Sequence, residues 1–285
     1  MERPLTPLSA TDGGAGARAT RGGRLEVRNL SHDYRTGGAA GGIRALEGID
    51  LDIAAGEFVC VLGASGCGKS TLLLIIAGLI EPTSGEIRLD GALVRGPSRE
   101  RGVVFQEYAL LPWKTVRANV ELGPRLQGRS RAEARLIAER YLDMVGLGAF
   151  SRSYPHQLSG GMRQRAAVAR TLAAEPSVLL MDEPFAAVDA QTRSVLQEEL
   201  VRIWQQTGRT IVFVTHSVEE AALLADRVIV LSTSPGRVKA VHPVTMPREA
   251  RFDPANAPET GAIAATLLRS IRDQPGMPNG APAVR

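Results

Sequence analysis

Nine consecutive residues, Gly63-Ala64-Ser65-Gly66-Cys67-Gly68-Lys69-Ser70-Thr71, have the composition of a phosphate cradle. Glycines let backbone N–H groups curl around an anion, and a helix opening behind them adds partial positive charge. In that chemistry Lys69 reaches the β- and γ-phosphates of a nucleotide and the Ser70 hydroxyl holds Mg²⁺. A chance Gly-rich turn is the bland alternative. It is outweighed by the flanks, an apolar strand at Phe58–Leu62 and a helical pattern from Ser70, which are the context this motif requires. Cys67 inside the loop needs no redox role, because a small side chain suffices there.

A second group of chemical residues ends another apolar run, Val178-Leu179-Leu180-Met181-Asp182-Glu183. Taken alone, an Asp-Glu pair at a strand end is a solvated or capping pair. In a parallel sheet, however, strand carboxyl ends form the ligand crevice, so both acids arrive beside the phosphate loop. Asp182 is then placed to orient Mg²⁺ and Glu183 to polarise an attacking water. A third group is Leu158-Ser159-Gly160-Gly161-Met162-Arg163-Gln164-Arg165. Ser159 caps a helix there, while Gly160 and Gly161 permit close backbone approach, which makes a second anion site at a helix N-terminus. One nucleotide rarely needs two such loops from one chain, so the second is expected to serve a nucleotide held by another copy.

These residues need a layered α/β body to position them. Apolar runs without strict alternation occur at Val59–Leu62, Val103–Phe105, Val178–Met181, Ile211–Val214 and Val228–Leu231, and suit strands buried on both faces. Helical patterns fall between them at Ser70–Ile80, Arg131–Val145, Gly160–Ala173, Thr192–Gln206 and Ser217–Ala225, the last with a Ser217/Glu220 capping box. Short β-type runs at Leu25–Val27, Ile49–Ile53 and Glu86–Leu89 flank a Gly-rich interruption (Gly37, Gly38, Gly41, Gly42) and imply an antiparallel β subdomain. Strand signals vanish between Gln106 and Leu158, which marks an inserted helical subdomain at about 107–165. Residues 1–23 have the composition of a disordered tail. The segment 24–246 forms the nucleotide-binding domain, and 247–285 is a Pro- and Ala-rich tail with one helical stretch, Glu259–Arg272.

Composition excludes several function classes. With 285 residues, 44% hydrophobic and 22% charged, the chain is globular and long enough to bury about three quarters of its unfolded surface. Two cysteines cannot build a disulfide framework, which fits a reducing compartment. Its longest apolar run, Leu72–Ile80, is far short of the roughly 18–20 residues a membrane-spanning helix needs. The N-terminus carries no hydrophobic block of a secretory signal. The net charge of +4 admits nucleic acid, anionic ligands or an anionic membrane surface as partners, but the basic residues form no tract.

Together the motifs resemble the ATP-binding cassette (ABC) ATPases over residues 25–245. The phosphate loop (the Walker A pattern), Gln106, the Ser159–Gly161 signature, the acidic strand end and His216 all occur in that family's order. The resemblance implies a P-loop NTPase core that hydrolyses ATP with Mg²⁺. Two copies would pack head to tail, with ATP between one phosphate loop and the other copy's Ser159–Gly161. It further implies that Gln106 contacts Mg²⁺ and couples to membrane subunits, that His216 contacts the γ-phosphate, and that Asp189 crosses the dimer interface. Tyr34 matches the aromatic residue that stacks on adenine, although a lone Tyr is more often a surface or core residue. The chain departs from the family at Ala186-Ala187-Val188, where Ser-Ala-Leu or Gly-Ala-Leu usually precedes the Asp, so a serine-mediated contact is lost.

Val104-Phe105-Gln106-Glu107-Tyr108-Ala109-Leu110-Leu111-Pro112-Trp113-Lys114-Thr115-Val116, then Asn119-Val120 and Ser234-Pro235-Gly236-Arg237-Val238, is similar to the nitrate/sulfonate/taurine importers. Leu110–Trp113 also fits ordinary packing. That resemblance implies a peripheral subunit at the cytoplasmic face of the bacterial cell membrane, docked under permease subunits and served indirectly by a solute-binding protein. The rival expectation is a soluble ABC ATPase acting on nucleic acid or the ribosome. Such proteins usually carry two cassettes or a long coiled coil, whereas this chain has one cassette and no sustained heptads. No nucleic-acid partner is therefore expected.

Overall fold

The computed structural model describes residues 22–34, 42–186 and 188–272. In chain order the elements begin with β1 (Leu25–Tyr34), β2 (Ile43–Ile53), β3 (Phe58–Leu62), α1 (Lys69–Ala77), β4 (Ser84–Leu89), β5 (Ala92–Leu93) and β6 (Arg101–Val104). The helices α2 (Val116–Val120), α3 (Leu122–Leu126), α4 (Arg131–Met144) and α5 (Gly160–Ala173) follow. The chain then alternates through β7 (Val178–Asp182), α6 (Ala190–Thr207), β8 (Thr210–Thr215), α7 (Val218–Leu224), β9 (Arg227–Leu231), β10 (Val238–Pro243) and α8 (Ala257–Arg272).

Two sheets result. One is antiparallel, in the order β2-β1-β4-β5, and the other runs β10-β9-β3-β8-β7-β6, parallel from β9 to β6 with β10 antiparallel at its edge. Every residue of β3 and β8 is buried, as expected of central parallel strands covered on both faces. Helix α1 carries Leu72, Leu73, Ile75 and Ile76 fully buried among residues of both sheets. A helix apolar all round has to sit inside, and α1 does, filling the space between the two sheets. The opposite face of the parallel sheet packs with α5, α6, α7 and the helices after Gln106 into a second core around Phe58, Phe213 and Trp204.

Several sequence expectations shift. The strand expected at Val103–Phe105 ends at Val104. β10 carried no recognised signal, because its pattern of half-buried and exposed residues is that of an edge strand. Gly37, Gly38, Gly41 and most of the expected N-terminal tail (residues 1–21) lie outside the described residues, as do 273–285. The stretch after Pro247 was expected to be a tail, yet up to residue 272 it is packed. Ala264 and Leu267 of α8 are buried in the second core, with Ile263, Leu268 and Ile271 against it. The Arg251 guanidinium, also buried, donates to the carbonyls of Met246, Ala225 and Val244, and Arg248 holds Asp226 through two hydrogen bonds.

Candidate active site

The phosphate loop joins β3 to α1, and its shape follows from its glycines. Gly66 and Gly68 adopt φ of +80° and +93°, a region L-residues enter at a cost, and at Gly66 the space where a side chain would stand is empty. Ser65 and Gly66 are exposed, while Cys67 is turned inward and its thiol is pushed up by burial. No side chain caps α1 and no acid occupies its first turn, so its N-terminal N–H groups remain available to an anion. Lys69 is 4% exposed, and its ammonium donates to the carbonyls of Gly63 (2.8 Å) and Ala64 (3.0 Å).

The sheet brings the distant residues in. β7 lies two strands from β3, with β8 between, so Asp182 and Glu183 emerge at the same end as the loop. Ser70 Oγ donates to Asp182 Oδ1 at 3.0 Å. Burial raises the Asp182 carboxyl above the ordinary range, outweighing the Ser70 hydrogen bond. Glu183 sits at φ +42°, a left-handed conformation costly for a residue with a side chain, and its N–H is held by the Val214 carbonyl at 3.0 Å. Its carboxylate is bracketed, with one oxygen 4.0 Å from Lys69 Nζ and the other 2.9 Å from His216 Nδ1. His216 follows β8 directly and is largely exposed. Thus Lys69, Ser70, Asp182, Glu183 and His216 form one cluster, assembled from three adjacent strands.

Other expected residues stand apart from it. Tyr34 is 41% exposed, sits edge-on to His32 at 4.7 Å, and meets the Thr71 hydroxyl at 3.2 Å, which ties it to the first turn of α1. Gln106 lies exposed past β6, the parallel neighbour of β7, and its side chain makes no hydrogen bond among the described residues. Ser159 caps α5 by accepting from Met162 N at 3.3 Å and is exposed. No hydrogen bond joins Ser159, Gly160 or Gly161 to the phosphate loop among the described residues. Gly161 has a packing duty besides: a Cβ there would lie 2.5 Å from Thr192 Cγ2 on α6. Asp189 caps α6 through Thr192 N (3.0 Å), which holds its carboxyl below the usual range, and it is exposed. Val188 before it is buried, and Ala187 lies outside the described residues.

The expected Ser217/Glu220 capping box is only half realised. Ser217 Oγ accepts from Glu220 N, but the Glu220 carboxylate turns inward to accept from Thr215 Oγ1 at 2.6 Å. Thr215 Oγ1 in turn accepts from Ser217 N, and burial raises the Glu220 carboxyl. This network braces the turn that carries His216. Two further residues brace the loop after Gln106, and the sequence assigned a role to neither, Asn119 entering only as part of the importer-like stretch. Asn119 is fully buried, and its amide binds Leu111 at both N–H and carbonyl as well as the carbonyls of Lys114 and Thr115, shaping the turn that exposes Trp113. Arg170 on α5 donates to the carbonyls of Tyr108 and Ala109. Asn119 bonds within its own turn, whereas the partners of Arg170 lie more than sixty positions away and are brought to it by the tertiary fold.

Comparison with known proteins identifies the family. The family described as ABC transporter matches residues 46–186. A nitrate import ATP-binding protein of Synechocystis sp. is 52% identical over 78% of this chain and 83% of its own length. A taurine import ATP-binding protein of Jannaschia sp. is 49% identical over 75% and 80%. Among solved structures, an ATP-binding cassette dimer in a post-hydrolysis state with ADP and Pi is 34% identical with a TM-score of 0.69, covering 78% of this chain and 99% of that one. A CbiO subunit from Clostridium perfringens, part of the CbiONQ transporter complex, is 29% identical with a TM-score of 0.70 over 85% and 98%. This chain, with its P-loop core and the residues of an ATPase, belongs to the ATP-binding proteins of ABC transporters.

Proposed function

We propose that the chain is the ATP-hydrolysing motor subunit of an importer for a small anionic or zwitterionic solute of the nitrate, alkanesulfonate and taurine class. The observation that carries the reading is the cluster of Lys69, Ser70, Asp182, Glu183 and His216 at one sheet end. The solute class is supported by the named activities of the nitrate and taurine relatives. Among the described residues no helix is long and apolar enough to cross a membrane. In this reading the spanning helices belong to permease partners, and the chain sits peripherally at the cytoplasmic face.

Each residue has a task in hydrolysis. The loop N–H groups and Lys69 bind the phosphates, with the ammonium exchanging the Gly63 and Ala64 carbonyls for phosphate oxygens. Glu183 accepts the proton of the attacking water, and His216 Nδ1 fixes the orientation of its carboxylate. Tyr34, anchored to Thr71, supports the base. Ser70 Oγ and Asp182 Oδ1 are hard oxygen donors on adjacent elements, and among the described residues no three His, Cys, Asp or Glu side chains are grouped so as to hold a metal ion by themselves. That small donor set fits Mg²⁺, which takes one or two protein oxygens plus water and phosphate, with Gln106 as a further donor from the neighbouring strand. Bound there, Mg²⁺ neutralises charge on the phosphate oxygens. Ser159 and Asp189, exposed and apart from the loop, with Gly160 and Gly161 behind Ser159, serve the nucleotide of a second copy packed head to tail.

Two measurements test this. Steady-state phosphate release with MgATP should fall about 10²- to 10⁴-fold in Glu183→Gln while ATP binding persists. Near-normal release would remove Glu183 from the role of base. For the solute, cells lacking this gene should fail to use nitrate, taurine or an alkanesulfonate as sole nitrogen or sulfur source. Unimpaired growth on all three would reject the solute class.

A further inference from the structure

The loop that follows Gln106 is strained and clamped. Tyr108 and Ala109 adopt φ of +60° and +46°, two consecutive left-handed residues with side chains, each costing roughly 1–2 kcal/mol. Nothing in their own sequence favours this conformation, since neither is Gly, Asn or Asp. The turn closes on itself through Tyr108 N–H to the Phe105 carbonyl (3.1 Å) and Ala109 N–H to the Glu107 carbonyl (2.6 Å), and α5 clamps it from outside. Arg170 donates through one terminal nitrogen to the Ala109 carbonyl and through the other to the Tyr108 carbonyl at 3.3 Å. Seven residues earlier, two helical turns away and on the same face, the Arg163 guanidinium lies 5.7 Å from the centre of the Tyr108 ring. Next to Arg170, Thr171 Oγ1 donates to the Val103 carbonyl at 3.2 Å, tying the same helix to β6.

The Arg170 side chain is costly where it sits. Burial lowers its guanidinium from the ordinary value, and among the described residues no carboxylate lies within ion-pair distance of it. A half-buried cation whose protein hydrogen bonds, among the described residues, go only to backbone carbonyls is a poor device for stability alone, because an apolar side chain would avoid the desolvation. Its fork geometry, however, spans two successive carbonyls as a single-point ammonium cannot.

Building on the ATPase reading, we propose that Arg170, backed by Arg163, is a positioning residue that fixes the loop carrying Gln106 to the signature helix. The helix that presents Ser159 at its N-terminus and the loop that presents Gln106 then move as one body. A displacement of Ser159 by a partner subunit's nucleotide is transmitted to Gln106 through two arginines on one helix face.

The test uses the full-length chain with two readouts, amide hydrogen exchange of residues 105–112 and steady-state kinetics with MgATP. Arg170→Met should speed exchange in 105–112 while β3, α1 and β7 keep wild-type protection. It should lower kcat about tenfold to a hundredfold with KM for ATP within about twofold. Arg170→Lys should fall between, since it reaches one carbonyl. Ala109→Gly placed in the Arg170→Met chain should slow the exchange again and recover part of kcat, because Gly holds a positive φ without a clamp. Unchanged exchange in 105–112 would overturn the proposal. So would a loss of protection throughout the chain that Ala109→Gly does not repair, which would make Arg170 a fold-stabilising residue only. A wild-type chain that releases no phosphate would refute the ATPase reading instead, and the exchange arm would still decide whether the clamp exists.

Discussion

The phosphate-loop end and the signature end of this chain are built from the same device, a helix N-terminus behind a Gly-containing loop, yet they are finished very differently. At the first, Lys69, Ser70, Asp182, Glu183 and His216 already touch one another, and Glu183 is held in a strained conformation by the Val214 carbonyl. At the second, the Ser159 hydroxyl is hydrogen-bonded, among the described residues, only to the N–H of Met162 in its own helix. The contrast shows where a chain invests in preorganisation. In the proposed function, the half that performs chemistry is assembled before nucleotide arrives, whereas the half that would serve another copy is completed by association.

Breaking each half separately should therefore give different failures. Lys69→Ala removes the buried cation from the loop and should weaken ATP binding by about 10- to 100-fold, as expected for losing charge-assisted hydrogen bonds. Ser159→Arg leaves the loop untouched, so the isolated chain should bind ATP within about twofold of wild type while ATP-dependent dimerisation and turnover disappear. Fluorescent-nucleotide titration and sedimentation in the Glu183→Gln background separate the two. Were Ser159→Arg to weaken ATP binding to the monomer as much as Lys69→Ala, the two ends would belong to one site and the contrast would collapse.

A smaller effect probes the rigidity of the first half. The Asp182 carboxyl is raised by burial, so its charged form opposes folding. A folded-state pKa above the unfolded value of about 3.9 means that this cost is absent below that value and complete once pH exceeds the folded-state value. Asp182→Asn keeps an oxygen for the Ser70 hydroxyl and removes the charge. In the absence of nucleotide it should raise the thermal midpoint at pH 7 by about 2–4 °C, corresponding to about 1 kcal/mol, while abolishing turnover. The gain should shrink as pH is lowered towards 4. A midpoint lower than wild type at pH 7 would show that the carboxylate is stabilised where it sits.

Local sequence made one part of this site legible and left another hidden. The phosphate loop is contiguous, so nine residues announce it, and the unbroken apolar run before Asp182 marks a buried parallel strand. The contact between Glu183 and His216 spans 33 positions and exists because β7 and β8 are neighbours in register, which no local pattern encodes. Competition from a neighbouring hydroxyl also redirected a correct local signal. Ser217 and Glu220 have capping-box spacing, but the Thr215 hydroxyl captured the Glu220 carboxylate. In the C-terminal stretch the Pro and Ala content concealed the Ile263, Leu267, Leu268 and Ile271 stripe that packs α8 onto the core.

A packing effect sharpens what the signature glycines are for. From the sequence, Gly160 and Gly161 were both expected to let a backbone approach an anion. The structure gives Gly161 a different neighbour, since it is buried and the position of a Cβ falls 2.5 Å from Thr192 Cγ2, with Leu196 beyond. Thr192 follows Asp189 by three residues and donates its N–H to the Asp189 carboxylate. The absent side chain thus sets how closely α5 and α6 pack, and with it the spacing between Ser159 and Asp189. Gly161→Ala should cost about 1–3 kcal/mol of stability through overpacking, partly offset by the better helix propensity of Ala. Thr192→Ser removes the clashing methyl and keeps the backbone N–H for Asp189, so the double variant should recover most of the thermal midpoint. If it also restores ATP-dependent dimerisation, Gly161 serves packing and its closeness to nucleotide is secondary. Recovery of the midpoint without recovery of dimerisation would return Gly161 to the anion-facing role.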